Sequence, residues 1–180
     1  MSHSPTRSGM LVAAISLALA LTGCASPASR AAMTPQAVVV SKQYPHSLHV
    51  QTSGGSETGA MDSSNISDAD LKAAIEDAVI QSKVFKSIVQ GAGGDYELSV
   101  RVVSLSKPIF GATFTVEMET AWSLTKAVDR SVVMRNSVKS SGKATMGEAL
   151  AAVTRLRLAV ENAARENISQ GLKAVAELNL

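Results

Sequence analysis

The sequence is poor in three kinds of residue, and each shortage excludes a class of function. Only one of its 180 residues is cysteine, which excludes an intramolecular disulfide and any metal site built from several cysteines. Aromatic residues make up 3%, too few for the stacked platforms that bind single-stranded nucleic acids. Neither sign of charge dominates, since 17 Lys and Arg stand against 15 Asp and Glu, whereas nucleic-acid binders usually carry a basic face. We therefore expect no nucleic-acid partner.

The N-terminus carries an export signal. Arg7 gives it a basic start, and the apolar run MLVAAISLALAL over residues 10–21 is too short to span a bilayer. The run leads into the tetrapeptide LTGC, which ends at Cys24 and resembles the lipobox of bacterial lipoproteins. The resemblance implies that residues 1–23 are a cleaved signal peptide and that Cys24 is acylated. An ordinary signal peptide with an incidental cysteine is the alternative.

The residues after Cys24 bear on location. In the lipoprotein family an Asp directly after the cysteine favours retention in the inner membrane, and here that position is Ala25. The resemblance therefore implies a lipid-anchored protein on the periplasmic face of the outer membrane. Residues 25–37 contain two prolines and no apolar period, which is typical of a linker. We predict that residues 24–37 are the acylated cysteine and a flexible tether, followed by a single domain over residues 38–180.

Residues 96–102, 114–124 and 132–139 alternate between apolar and polar side chains. A period of two over such lengths predicts an antiparallel sheet with one buried and one solvated face. We expect four or five strands, and we place the first of them at a sheet edge because it contains Pro45. Trp122 is expected in the core because it lies on the apolar side of its strand.

Two helices complete the predicted fold. Ser67 followed by Asp70 resembles a capping box and opens the first helix. Residues 147–178 contain no proline and carry an apolar stripe that includes Leu150 and Val153, which predicts a long final helix unless Gly171 breaks it. The expected fold class is α+β: a two-layer sandwich of a mainly antiparallel sheet with two helices on one face.

This order of elements after a lipobox resembles two groups of small envelope lipoproteins. One is the lipopolysaccharide-assembly lipoprotein group, and the other is the auxiliary lipoproteins of ABC-type lipid transport systems. The resemblance covers roughly 130 residues, rests on topology, and transfers no functional residue. It implies a non-enzymatic partner subunit.

No motif for nucleotide binding, serine hydrolysis or zinc proteolysis is present in the sequence. We therefore expect no enzymatic activity, no cofactor and no metal. His46 and His49 could bind zinc together with Glu57 or Asp62, but two histidines beside a strand are more often plain surface residues.

Three residues are candidates for binding a partner. Ile109 and Phe110 fall at a predicted hairpin turn, where they could insert into a partner or a membrane or fold back onto the sheet edge, and we favour folding back. Arg157 falls within the apolar stripe of the last helix. It could be held for a partner or an anionic headgroup. Alternatively, it could belong to an internal ladder with Glu161 and Arg165, or extend to solvent at the margin of the helix, and we favour these two explanations over binding.

The preferred function is an accessory or scaffold subunit of an envelope assembly or transport system, bound to the membrane by acyl chains and to an envelope protein partner. The alternative is a binding module that holds a lipid or small amphiphile between its helices and its sheet. Small side chains on the last helix, such as Ala159 and Ala163, could leave room for that ligand, although close helix packing explains them equally well.

Overall fold

The structure is a computed structural model that describes residues 25–59, 62–91 and 93–180. The predicted signal peptide and Cys24 lie outside the described residues. In chain order the elements are α1 (Arg30–Met33), β1 (Tyr44–Ser53), α2 (Asp68–Ser82), β2 (Phe85–Ile88), β3 (Tyr96–Ser106), β4 (Thr113–Lys126), β5 (Val132–Thr145) and α3 (Ala152–Ala176). The α+β class is confirmed.

The five strands form one mixed sheet in the order β2-β1-β3-β4-β5. β4 is antiparallel to both β3 and β5, as predicted. β1, however, is parallel to both β2 and β3, so the prediction of a mainly antiparallel sheet is wrong. The reason is physical: alternation reports which face a side chain takes, but it does not report the direction of the strand.

β1 lies between β2 and β3, so its predicted place at an edge is also wrong. Proline disfavours central strands because it has no N–H to donate. Here the pairing of β1 with β2 shifts register between Tyr44 and Ser47, and Pro45 lies inside that irregularity. The bulge removes the need for a ladder hydrogen bond from Pro45.

β2 and β3 pair with different halves of β1, on opposite sides of it. The register of β2 ends at Leu48, where that of β3 begins, so residues 89–95 cross from one side of β1 to the other. Asp95 fastens this crossing, because its carboxylate accepts hydrogen bonds from the Ser47 backbone N–H at 2.7 Å and from the Ser47 hydroxyl at 2.8 Å.

One face of the sheet is covered by helices. α2 packs over β1 and β2, α3 packs over β4 and β5, and the short α1 contacts both long helices. The described chain thus has three helices, one more than predicted. Ser67 caps α2 by accepting the Asp70 N–H, as the capping pattern predicted.

The long helix α3 differs from its prediction at one end. It begins at Ala152 and continues through Gly171 without a break. Leu150 and Val153, which we expected in the buried stripe, are exposed, whereas the stripe from Val160 onward is buried. The first part of the predicted helix, residues 147–151, is therefore not helical.

The core between α3 and the sheet is tight. An added Cβ on Gly142 of β5 would come within 2.2 Å of the Ala159 carbonyl oxygen and of the Ala163 backbone nitrogen. Trp122 is buried as predicted, and its indole N–H donates to the Thr120 hydroxyl at 2.8 Å. Small residues on both sides thus let helix and strand backbones approach closely.

The strand directions define two ends of the domain. At the end that we call the upper end, β1, β3 and β5 finish and β4 begins. The turn over residues 107–112 and the segment 146–151 that precedes α3 both lie there. The opposite, lower end carries the turn over residues 127–131, about 40 Å away along β4.

Candidate functional site at the upper end

The turn between β3 and β4 is the most exposed apolar feature at the upper end. Ile109 is 93% exposed and Phe110 is 86% exposed. The favoured interpretation, in which these side chains fold back onto the sheet edge, is therefore wrong. Gly111 has a φ of 148°, a conformation that glycine adopts without strain, and it allows the chain to return into β4.

A second apolar group projects from the neighbouring segment. Met146, Leu150 and Val153 are all exposed, and they flank the start of α3. Large apolar side chains exposed singly are ordinary, but several at one end of a domain indicate a contact surface. We call Ile109, Phe110, Met146, Leu150 and Val153 together the apolar end.

Arg155 holds the two parts of the apolar end beside each other. Its Nη1 donates to the carbonyls of Ala149 at 3.0 Å and Leu150 at 2.8 Å, and its Nη2 donates to the Gly111 carbonyl at 3.1 Å. The guanidinium is buried, with its carbon 5.1 Å from the centre of the Phe114 ring. A guanidinium carries its donors on separate nitrogens, so it can reach carbonyls of two loops that lie several ångströms apart.

Sequence reasoning singled out Arg157 rather than Arg155. In α3 the buried residues recur every four positions through Ala159, Ala163 and Asn167 to Gly171. Extending that row by one step toward the N-terminus gives Arg155. This row of small residues was the signal in the sequence that could have identified Arg155. The apolar stripe that we followed instead led to Arg157, two residues further along.

Arg157 lies at the margin of the buried face. Its side chain is 34% exposed, and its Nε lies 3.9 Å from the Glu161 carboxylate. The predicted ladder does not extend to Arg165, which donates instead to the Ala32 carbonyl at 2.9 Å through Nε and to Asn162. A role for Arg157 in binding a partner stays a prediction.

The described chain begins at the upper end. Residues 25–37, predicted as tether, lie against the domain: the Ala28 N–H donates to the Asn65 carbonyl at 3.1 Å, and the Ser64 hydroxyl donates to the Ser26 carbonyl at 2.7 Å. Both partners belong to the segment that leads from β1 into α2. The first described residues are therefore bound to the upper end.

Lys107 links this N-terminal segment to the apolar turn. Its Nζ donates to the Ser64 carbonyl at 3.2 Å and to the Asn65 side chain at 2.5 Å. Partial burial lowers the pKa of Lys107 below its usual value. Since Lys107 precedes Ile109 by two residues, the start of the described chain and the exposed turn adjoin each other.

α1 provides a second attachment of the N-terminal segment to the domain. Met33 is fully buried among core residues, and the Arg30 guanidinium pairs with the Asp77 carboxylate of α2. The hydrogen bonds and charge of Asp77 raise the pKa of Arg30. Glu161 of α3 accepts the Ser29 N–H at 3.1 Å. The segment is thus attached to both long helices.

The structure does not assemble the zinc site that was weighed as an alternative. His46 packs against the Tyr96 ring with 5.2 Å between centroids, and His49 Nδ1 lies 3.1 Å from the Val89 carbonyl oxygen. Glu57 and Asp62 belong instead to the segment after β1. Over residues 25–59, 62–91 and 93–180, no three His, Cys, Asp or Glu are placed to share a metal ion.

The space proposed for a lipid between α3 and the sheet is occupied by backbone. Ala159 and Ala163 lie against Gly142, so their small side chains serve close packing. Open concavities of the described residues lie elsewhere, and two of them are large. One of about 1270 Å³ wraps the free edge of β5, with lining residues from both sides of the sheet, such as Lys139 and Asn162, and the other of about 560 Å³ opens beside β2. Within the described part of the chain, no helix is long and apolar enough to cross a bilayer.

Comparison with known proteins identifies the fold. The structure is similar to that of protein XCC0632 from Xanthomonas campestris, assigned to the family DUF330, with a TM-score of 0.59 at 14% identity over 79% of this chain and 89% of that one. It is also similar to the hypothetical protein CT253 from Chlamydia trachomatis, with a TM-score of 0.50 at 7% identity over 73% of this chain and 96% of that one.

A protein from Caulobacter crescentus, provisionally described as a lipoprotein, aligns with a TM-score of 0.49 at 18% identity over 71% of this chain and 87% of that one. No protein-family model matches the sequence. No curated protein matches it significantly. At these identities the first two similarities show a shared fold and leave the function open.

Proposed function

We propose that this chain is a bacterial lipoprotein, acylated at Cys24 and held on the periplasmic face of the outer membrane, where it serves as a non-catalytic accessory or scaffold subunit of an envelope assembly or transport system. The observation that carries the proposal is the tetrapeptide LTGC, which places the only cysteine of the chain three residues after the end of an apolar run of signal-peptide length. Several acyl chains on one residue give stable anchoring.

Two surfaces support the accessory role. The sheet face opposite the helices carries charges of both signs, among them Glu117, Glu119 and Lys139, with no layer of the described chain over it. β5 is an edge strand of 14 residues. An uncovered strand edge can pair with a strand of another protein, which is a common way to bind a partner.

The absence of a catalytic pattern in the sequence supports a non-enzymatic role. The resemblance in element order to auxiliary envelope lipoproteins favours the same role. The proposed location at the outer membrane rests on Ala25, the residue directly after Cys24. The experiment that tests the anchor also tests this location.

The anchor is tested by mass spectrometry of the N-terminal peptide from membranes of cells that make the full chain. We expect a peptide that begins at Cys24 and carries acyl groups, recovered in the outer-membrane fraction. The matched control is Cys24→Ser, which we expect to lose acylation and sediment with no membrane. A wild-type chain with an unmodified Cys24 would overturn the lipoprotein assignment.

The accessory role is tested by crosslinking in cells, followed by purification in mild detergent. We expect one envelope protein to be recovered near stoichiometry with the wild-type chain and to be lost with Cys24→Ser. A photo-crosslinking residue at Lys139, on the uncovered face, should capture the same protein. Recovery of the wild-type chain alone from several crosslinking chemistries would contradict the role.

A further inference from the structure

Half of the large apolar side chains that are exposed in the described chain lie in two short segments of the upper end. They are the five members of the apolar end, out of ten such side chains in total. The two segments are not independent, because the buried Arg155 bonds carbonyls of both. The structure therefore holds two apolar segments side by side in solvent, where the exposure of apolar side chains to water is unfavourable.

The place where the described residues begin indicates what covers this surface. Ala28 is bound to Asn65 and Ser26 to Ser64, so only a few residues separate the packed chain from Cys24. Four residues of extended chain reach roughly 15 Å. Lys107, which bonds Ser64 and Asn65, precedes Ile109 by two residues. An acyl group on Cys24 would therefore emerge close to the apolar end.

We propose that the apolar end is a membrane-contact surface, which inserts Ile109, Phe110 and Leu150 into the interface of the bilayer that holds the acyl chains of Cys24. The proposal rests on the acylation of Cys24 proposed above. In this arrangement the upper end of the domain lies on the lipid, and no long tether separates the domain from the membrane. The lower end and the uncovered sheet face then remain available to a protein partner.

The contact is apolar rather than electrostatic. Lys107, within the first segment, and Arg155, just after the second, bond carbonyl and amide oxygens of the protein itself. Glu148, which lies between Met146 and Leu150, accepts hydrogen bonds from the Thr145 backbone N–H and hydroxyl. We therefore expect the contact to persist at high salt, unlike the binding of a basic patch to anionic lipids.

The test places a tryptophan at the apolar end of the full acylated chain. Phe110→Trp is compared with Val128→Trp, a matched control in which a residue that is 91% exposed lies at the lower end. The native Trp122 is buried and gives the same background in both variants. Each protein is reconstituted into vesicles of phosphatidylethanolamine and phosphatidylglycerol that contain a phosphatidylcholine brominated along its acyl chains.

We expect the emission of Phe110→Trp to shift to shorter wavelength and to be quenched about two-fold or more by the brominated lipid, with Val128→Trp unaffected. Ile109→Trp is a second probe of the same turn and should behave like Phe110→Trp. Quenching should be unchanged in 1 M salt, about seven times the physiological ionic strength.

The outcomes separate this inference from the lipoprotein assignment. An acylated chain with no quenching at either turn position, or with equal quenching at Val128→Trp, overturns the membrane contact and leaves the assignment intact. A chain with no acyl group overturns both. A photo-crosslinking residue at position 110 that captures a protein rather than lipid in cells would also overturn the inference.

Discussion

Gly171 of α3 lies directly over the indole ring of Trp122. A methyl group on Gly171 would stand 2.3 Å from the ring, well inside van der Waals contact. The ring cannot move away easily, because it is buried and its N–H donates to Thr120, whose hydroxyl in turn donates to Asn167 at 2.5 Å. The glycine inside the last part of a long helix is therefore explained by the tryptophan beneath it.

We expect Gly171→Ala to destabilise the domain. Alanine favours a helix over glycine by about 1 kcal/mol, but overpacking a rigid core costs about 1–3 kcal/mol or more, so we expect a net loss of up to about 2 kcal/mol, or more, in the free energy of unfolding. Urea unfolding followed by the fluorescence of Trp122, the only tryptophan, measures it.

Gly147→Ala is the matched control, because an added Cβ there meets only the Thr145 hydroxyl at an ordinary 3.6 Å. We expect its free energy of unfolding to stay close to that of the wild type. A Gly171→Ala protein as stable as Gly147→Ala would mean that Trp122 is not held rigidly.

The sequence predicted those parts of the fold whose periodicity is clean. The three antiparallel strands, the cap of α2 at Ser67 and the burial of Trp122 all follow from local patterns. The parallel pairing of β1 could not be predicted in this way, since it depends on which strands meet across the sheet. Pro45 pointed to an edge because a bulge, which is a property of the pair and not of one strand, was not foreseen.

The candidate site was predicted only in part. Ile109 and Phe110 were identified from a turn pattern, but their exposure depends on where the neighbouring loop lies. Arg155 was missed because its partners Gly111 and Leu150 come from two other segments, which no local pattern brings together. The composition of residues 25–37 is typical of a linker, and their packing depends on a few side chains, chiefly Met33.

We expect the Met33 side chain to contribute more than the Arg30 side chain to holding the N-terminal segment against the domain. Met33 is fully buried, and truncating such a side chain to alanine costs about 2–5 kcal/mol. The Arg30–Asp77 pair is exposed, and solvent-exposed ion pairs contribute little. We therefore expect Met33→Ala to lower the free energy of unfolding clearly and Arg30→Ala to lower it much less.

The same pair of variants reports on the local attachment through limited proteolysis. Trypsin can cut after Lys42, which follows the segment and whose ammonium bonds the C-terminal residues. Cleavage at Lys42 should become faster in Met33→Ala and change little in Arg30→Ala. Equal rates in the two variants would show that the ion pair matters as much as the buried methionine.

Arg155 should matter more for stability than Arg157. Removing Arg155 leaves three carbonyls without their charged donor, and hydrogen bonds to charged groups contribute about 1.5–3 kcal/mol. We expect Arg155→Met to lose about 2 kcal/mol or more in the free energy of unfolding. Arg155→Lys should restore little of it, because the donors of an ammonium all radiate from one nitrogen, whereas Arg155 reaches the two loops through two separate nitrogens.

Arg157→Met is the comparison, since the Arg157 side chain is partly exposed and its contact with Glu161 is long at 3.9 Å. It should be clearly more stable than Arg155→Met in the same urea titration. If Arg157→Met keeps its stability but loses the envelope protein captured by the wild type, the interpretation of Arg157 as a partner-binding residue gains direct support. Equal losses of stability would contradict the placement of the two side chains.

The carboxylate of Asp95 should make stability depend on pH in the acidic range. Hydrogen bonds from the Ser47 backbone and hydroxyl lower the pKa of Asp95 below its usual value near 3.8. In the unfolded chain those donors are gone and the pKa returns to that value, so between the two pKa values the unfolded state binds more protons. The stabilisation is fully present above about pH 4 and is lost as the pH falls through the lowered pKa of the folded state.

Asp95→Asn removes this contribution because its amide does not titrate. We expect the variant to be less stable than the wild type at pH 6, and the difference to narrow steadily as the pH falls below about 4. Urea titrations of both proteins across that range measure it. Ser47→Ala, which removes one of the two donors, should show a smaller difference that narrows over the same range. A difference that stays constant with pH would mean that Asp95 contributes through its shape and neutral hydrogen bonds, and that its charge does not fasten the crossing of residues 89–95 over β1.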